Sequence, residues 1–251
     1  MTRVFLPSDF DQFYIDGRFG FYGLKAIKLA LNSSQLKSYD WIIFLDEDAA
    51  ILDSKRLLEL IHHMRDENFA VAGIRDGGEI EFRRGNPHFP NLSFCAISRK
   101  LLPTEIDYSP KLSSDFFTNK ENFDEIVMLK PNHFTYENSE EYYNFFNELK
   151  MKNSNFLFLT SRYYNQTEDE FTTVFLDHKG TDLVIHSWQA RVYEKNETHT
   201  DRINNVFRRL SLKRNLYKGQ KLSNPEYISY LLKFRKKQLK KLVKKLLFIE
   251  R

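Results

Sequence analysis

Trp41-Ile42-Ile43-Phe44-Leu45-Asp46-Glu47-Asp48-Ala49-Ala50 is the stretch on which the reading of this chain turns. Five apolar residues without polar alternation predict a strand buried on both faces, as in a parallel sheet. Three acidic residues end it abruptly. On an extended backbone alternate side chains share a side, so Asp46 and Asp48 are expected to point together and Glu47 away. Two carboxylates at the end of a buried strand make a hard oxygen site suited to Mg²⁺ or Mn²⁺. In open α/β sheets ligands bind beyond the carboxyl ends of the strands, so location agrees with chemistry. The bland alternative is an acidic turn into the next helix, with Asp53 assisting that helix.

Outward from this segment the pattern alternates. Val4–Leu6 predicts a short strand, and Leu24, Ile27, Leu29 and Leu31 a helix that ends near Asn32. After the acidic residues, Ser54 is the expected N-cap of a helix carrying Leu57, Leu58, Leu60 and Ile61, and Phe69–Gly73 and Leu92–Ile97 are expected strands. Residues 74–91 are loop-like, with Gly77-Gly78, Gly85, Pro87 and Pro90. Further on, 140–152 predicts a helix, 156–159 and 183–185 strands, and 201–210 a basic amphipathic helix. Alternation of strand and helix predicts an α/β fold, a mixed and mostly parallel sheet flanked by helices, over residues 1–218. Residues 219–251 are expected to form a basic amphipathic helical tail.

The composition agrees with a globular protein. In 251 residues, 41% are hydrophobic and 15% aromatic, against only 9 Gly and 7 Pro, which excludes collagen-like and wholly disordered chains. The single cysteine, Cys95, excludes internal disulfides and cysteine-built zinc fingers and predicts a reducing compartment. The start is too short in its apolar run for a signal peptide and no stretch approaches the roughly 20 apolar residues of a spanning helix, so a cytoplasmic protein is expected. The formal charge of +4 is uneven. Nine basic residues against Glu250 give the stretch from Lys233 to Arg251 a charge of +8, which leaves −4 for the rest. On a helical wheel Leu232, Leu239, Leu242, Val243, Leu246, Leu247 and Ile249 share a face opposite most of those lysines, the pattern of a helix lying on an anionic membrane at the inner leaflet. No basic patch interleaved with aromatics marks a nucleic-acid surface within residues 1–218.

The segment Tyr39-Asp-Trp-Ile-Ile-Phe-Leu-Asp-Glu-Asp-Ala resembles the metal-binding Asp-x-Asp strand of nucleotide-sugar-dependent glycosyltransferases of the GT-A fold. Gly20-Phe-Tyr-Gly23-Leu-Lys25 resembles the Gly-then-basic stretch that opens the preceding helix in that superfamily. Asp182-Leu-Val-Ile-His186-Ser-Trp188-Gln-Ala-Arg191 resembles its late strand bearing a metal-site histidine. The resemblance spans about residues 3–210. It implies sugar transfer from a nucleoside-diphosphate sugar to a glycan, lipid-linked or protein acceptor, as in polysaccharide biosynthesis, with Mn²⁺ or Mg²⁺ as cofactor. Asp48 is then a direct metal ligand, Asp46 serves the ribose or a metal-bound water, and His186 completes the shell. Lys25 meets a phosphate or the sugar, with Arg18 and Gly23 beside the donor. For an inverting reaction the base is sought among Asp115, Asp177, Asp124 and Glu125, of which Asp115 and Asp177 are the first choices. The strand, helix and strand that precede the matched stretch in that fold have only about 40 residues here, so a condensed or missing amino-terminal part is expected. Asp48→Ala is expected to remove metal-dependent donor binding and, by relieving like-charge repulsion, to leave the fold intact.

Two other classes compete. A phosphatase of the haloacid-dehalogenase type also ends a strand in Asp-x-Asp, with a nucleophile and a general acid two residues apart. A non-catalytic protein with an acidic body and a basic membrane-binding tail is the third. His186 as a hydrogen-bonded core histidine, Lys25 as a snorkelling helix residue and Trp188 as packing are the plain alternatives for those positions.

Overall fold

Four hydrophobic side chains of one helix, Leu57, Leu60, Ile61 and Met64, are all buried and recur at the spacing of a single helical face. They draw two sheets together. The computed structural model describes residues 10–15, 17, 21–76, 85–108, 140–210, 220–222, 228–229 and 232–240. In chain order the elements are β1 (Phe13–Tyr14), α1 (Leu24–Asn32), β2 (Trp41–Leu45), β3 (Ala49–Ile51), α2 (Ser54–Asp66), β4 (Phe69–Arg75) and β5 (Pro90–Ser98). There follow α3 (Tyr143–Met151), β6 (Asn155–Leu159), β7 (Ser161–Asn165), β8 (Asp169–Leu176), β9 (Asp182–His186), α4 (Glu197–Arg209) and β10 (Gln220–Lys221).

The chain divides into two compact units, Met1–Asp11 with Asp40–Lys218, and Gln12–Tyr39 with Gly219–Arg251. The first holds two four-stranded sheets, in the orders β2-β5-β4-β6 and β3-β9-β8-β7. The fold is thus mixed α/β, but the expected mostly parallel sheet is corrected. In the first sheet β5 pairs antiparallel with both β2 and β4, and only β4 with β6 is parallel. The second sheet is antiparallel throughout. An apolar run reports burial and not direction, and here the chain returns after β4 to insert β5 between its neighbours. Because β2 and β4 both oppose β5, and β6 runs with β4, the ends of β2, β4 and β6 still lie along one edge. β2 itself is mostly half-buried at the side of its sheet, not covered on both faces.

The second sheet is covered on both sides, and the period of two shows which residues go where. Ala49, Ile51, Phe175 and Val184 join α2, Ala72, Ile74, Phe94 and Ala96 in the main core. Their neighbours Ala50, Val174 and Ile185 face Ile203, Val206 and Phe207 of α4. Each of the valine, isoleucine and phenylalanine side chains contributes about 1.5–3 kcal/mol on full burial. Gly73 is required where the first sheet is tightest, since a Cβ there would stand 2.9 Å from the carbonyl oxygen of Phe94.

Local signals were read to within a residue or two at α2, whose N-cap is Asp53 and not Ser54: the Asp53 carboxylate accepts from the N–H groups of Lys55 and Arg56. Of the four apolar residues read on this helix, Leu58 is 45% exposed. In the second unit β1 and β10 form a parallel pair, and α1 buries Leu24, Ile27, Leu29, Ala30 and Leu31. The expected strand at 4–6 lies outside the described residues. No helix among the described residues is long and apolar enough to cross a membrane.

Candidate metal centre

The acidic triplet is a joint between the two sheets. The N–H of Asp46 donates to the Ser93 carbonyl, extending the β2–β5 ladder by one residue, and the N–H of Ala49 donates to the Asp46 carbonyl at 3.1 Å, closing a tight turn. The chain then enters β3, not a helix. β3 pairs with β9 so that Ala49 stands opposite His186. Asp46 and Asp48 do come together, but by a turn and not by the alternation of an extended strand. Glu47 is exposed.

One ligand atom from each of Asp46, Asp48 and His186 lies within 4.8 Å of the others. His186 Nε2 is 2.9 Å from Asp48 Oδ1 and 3.9 Å from Asp46 Oδ2. Asp48 and His186 are buried, whereas the Asp46 side chain is 56% exposed and leaves one side open to solvent. Burial works to raise the proton affinity of Asp48, but the charge and hydrogen bond of His186 and the N–H of Ala190, donating to Oδ2 at 3.1 Å, outweigh it and hold the carboxyl below its usual range. Asp48 is therefore a carboxylate at neutral pH.

The donor set fits a divalent ion. Adjacent ligands on an octahedral ion with bonds of about 2.1 Å stand about 3 Å apart, near the Asp48–His186 separation, and the exposed Asp46 has room to close the remainder. Two carboxylates with one imidazole suit Mn²⁺ better than Mg²⁺, which prefers oxygen alone. The ring's other nitrogen, Nδ1, is buried without a hydrogen-bond partner. No second contact therefore fixes the tautomer, and Nε2 is the atom turned toward the carboxylates.

The segment after His186 is shaped by Arg202, which sequence reading did not single out. Trp188 and Gln189 both have left-handed backbones, φ 57° and 68°, which for side chains of this kind costs of order 1–3 kcal/mol each. Arg202 of α4 holds them there. Its guanidinium donates to the carbonyls of Ser187, at 2.6 Å, and Trp188, at 2.9 Å, and pairs with Asp169. The resulting turn aims the Ala190 N–H at Asp48. The Trp188 ring lies 4.0 Å from the His186 ring and its Nε1 donates to Thr173 Oγ1. In the sequence Arg202 is one cation of a basic helix, and the Ala190 contact is backbone, so neither carried a signal.

Of the other expected site residues, only Asp177 belongs to the same unit and is described. Asp177, a first choice for the base, belongs to the β8–β9 turn: its Oδ1 accepts from the N–H groups of Lys179 and Thr181, at the far end of β9 from His186. Its carboxylate shapes that turn and stands away from the cluster. Lys25 is an exposed residue of α1, and Gly23 is the N-cap of that helix at φ 56°, ψ −130°, a conformation open mainly to glycine. Both belong to the second unit. Arg18, Asp115, Asp124 and Glu125 lie outside the described residues.

No family model, curated protein or solved structure gives a significant match to this chain.

Proposed function

We propose that the chain is a divalent-metal-dependent glycosyltransferase of the GT-A type, moving a sugar from a nucleoside-diphosphate donor to a glycan, lipid-linked or protein acceptor. The observation that supports this reading is the convergence of Asp46, Asp48 and His186 at the carboxyl end of β2. Asp48 and His186 would hold Mn²⁺ from the buried side and Asp46 from the open side, where an incoming diphosphate has access. The ion would supply a Lewis acid for the charge that develops on the departing diphosphate. The protein's own share is to keep Asp48 ionised, which His186 and the Ala190 amide do, and to fix the His186 ring, which Trp188 and the Arg202-held turn do.

The phosphatase reading requires Asp48 to carry and donate a proton. A carboxyl whose oxygens face His186 and an amide donor, with lowered proton affinity, opposes that role. The second part of the proposal is that the basic helix near the C-terminus rests on an anionic membrane surface beside a lipid-linked acceptor. Leu232 and Leu239, each 62% exposed among lysines, support it. The decisive experiment is a panel of nucleotide sugars read by thermal shift with and without Mn²⁺, because a ligand that binds only the native state raises its melting temperature. Absence of any Mn²⁺-dependent shift at millimolar nucleotide would remove the enzyme reading.

A further inference from the structure

Across the first sheet from Asp46 stands Ser93, a fully buried residue of β5 whose Oγ has no hydrogen-bond partner. The register places it there. Phe44 pairs with Cys95 and Leu45 with Phe94, and the N–H of Asp46 donates to the Ser93 carbonyl at 3.1 Å, so Asp46 and Ser93 are the next opposed pair. Opposed residues of an antiparallel pair put their side chains on the same face, with Cβ atoms about 4.5–5.5 Å apart. A hydroxyl and a carboxylate on such a pair can meet by rotation about their own side-chain bonds.

Only half of the usual exchange of backbone hydrogen bonds is made at this pair. The Asp46 carbonyl accepts from Ala49, and Ser93 gives its own N–H to Asn91 Oδ1 at 2.7 Å. Asn91, also buried, donates from Nδ2 to Asp76 Oδ1. The polar groups from Asp76 through Asn91 to the Ser93 amide are therefore paired in series, and the Ser93 hydroxyl is stranded at the end of the series, opposite Asp46. A buried hydroxyl without a partner is destabilising, and alanine would fill the same space without it. Packing alone gives no reason for serine here. Asp46 is the loosest member of the cluster: its side chain is 56% exposed, and its Oδ2 is 3.9 Å from His186 Nε2, against 2.9 Å for Asp48 Oδ1.

To share an ion with Asp48 and His186, Asp46 has to turn inward and bring one oxygen to the metal. The other oxygen stays available, since a carboxylate accepts several hydrogen bonds. Carboxylates that ligate metals are commonly fixed by such a donor. We propose that Ser93 is a positioning residue of the metal centre, its hydroxyl donating to the second oxygen of Asp46 when that carboxylate closes on the ion. The inference rests on the metal reading of Asp46, Asp48 and His186. It adds a residue outside the acidic triplet on which the strength of metal binding depends.

The test compares the full chain with Ser93→Ala and Ser93→Thr, by Mn²⁺ calorimetry and by melting temperature in chelator. In chelator Ser93→Ala is expected to melt no lower than the wild type, because the hydroxyl it loses has no partner. Its Mn²⁺ affinity is expected to fall about tenfold, and the rise in melting temperature that Mn²⁺ brings to shrink accordingly. Ser93→Thr keeps the hydroxyl and is expected to bind Mn²⁺ more tightly than Ser93→Ala. A side chain that serves packing alone would move the melting temperature and leave the affinity in place. Three results overturn the assignment: wild-type Mn²⁺ affinity in Ser93→Ala, a Ser93→Ala protein that melts lower in chelator or fails to fold, or a folded Ser93→Thr protein that binds no better than Ser93→Ala. If the extra methyl of threonine prevents folding, the alanine variant decides alone. Absence of Mn²⁺ binding by the wild type is a separate failure, which removes the metal reading itself before any variant is compared.

Discussion

His186 Nε2 and Asp48 Oδ1 face each other at 2.9 Å across 138 positions of sequence, while the second oxygen of Asp48 takes the N–H of Ala190. This changes what removal of Asp48 should do. Relief of repulsion from Asp46 is the smaller effect, because Asp48→Ala leaves the buried His186 Nε2 and the part-buried Ala190 N–H without their partner. A loss of about 2–4 kcal/mol is expected by urea unfolding. Asp48→Asn keeps the volume and one acceptor and should lose about 1 kcal/mol, while Mn²⁺ affinity by calorimetry falls at least about a hundredfold. Unchanged Mn²⁺ affinity in the asparagine variant would reduce the cluster to a structural turn.

Arg202 is the residue on which the shape of that site leans most. Its side chain is 11% exposed and that of its partner Asp169 is 7% exposed, and the same guanidinium holds two successive carbonyls of the strained turn. Arg202→Met leaves a buried carboxylate uncompensated and should cost about 3–5 kcal/mol. Arg202→Lys restores the charge but cannot reach both carbonyls, so stability should recover in part while Mn²⁺ affinity stays low. Full recovery of both by lysine would show that charge alone is needed.

The parts of this molecule legible in the sequence were those whose signal is local. The run 41–45 announces itself as five consecutive apolar residues, and α2 because Leu57, Leu60 and Ile61 recur at the spacing of one helical face. Asp46 and Asp48 were legible because two carboxylates end an apolar run, and His186 through the resemblance of residues 182–191 to a late strand with a metal-site histidine. Strand direction was not, since Leu92–Ile97 reads alike whichever way it pairs. β7 and β8 were missed, because Ser161–Asn165 and Asp169–Leu176 mix polar and aromatic residues without a clear period. Asp177 shows a related limit: an acid after a strand can serve a turn or a site, and only the structure shows that its carboxylate accepts from two amides of the β8–β9 turn.

His88 gives the fold an acid-sensitive element. Its proton affinity in the native state, near pH 4, lies below the ordinary value of 6.5, so the unfolded chain takes up the proton first as pH falls. The contribution is whole above pH 6.5 and declines between 6.5 and about 4, by on the order of 3 kcal/mol. His88→Gln removes that proton. Urea unfolding at pH 7 and at pH 4.5 should show a smaller acid loss in the variant than in the wild type. Equal losses would mean that His88 is not held neutral.

The membrane proposal is best tested without shortening the chain. A cut at Gly219 removes Gln220 and Lys221, which pair with Phe13 and Tyr14, together with the buried Leu222, and so disturbs more than the tail. Residues 232–240 are helical, and Leu232 and Leu239, seven positions apart, fall within about 20° of each other around the axis. Both are exposed, among Lys233, Arg235, Lys236, Lys237 and Lys240. Inserting each leucine at an interface gains up to about 1.5–3 kcal/mol, and each cation near an anionic surface adds about 1 kcal/mol. The full chain should therefore sediment with phosphatidylserine-containing vesicles at low salt and be released as salt rises. Leu232→Ser with Leu239→Ser should lower the bound fraction several-fold and leave the melting temperature unchanged, since neither side chain is packed. Binding that withstands both the double substitution and high salt would place the membrane contact elsewhere, and no binding by the wild type would end the proposal.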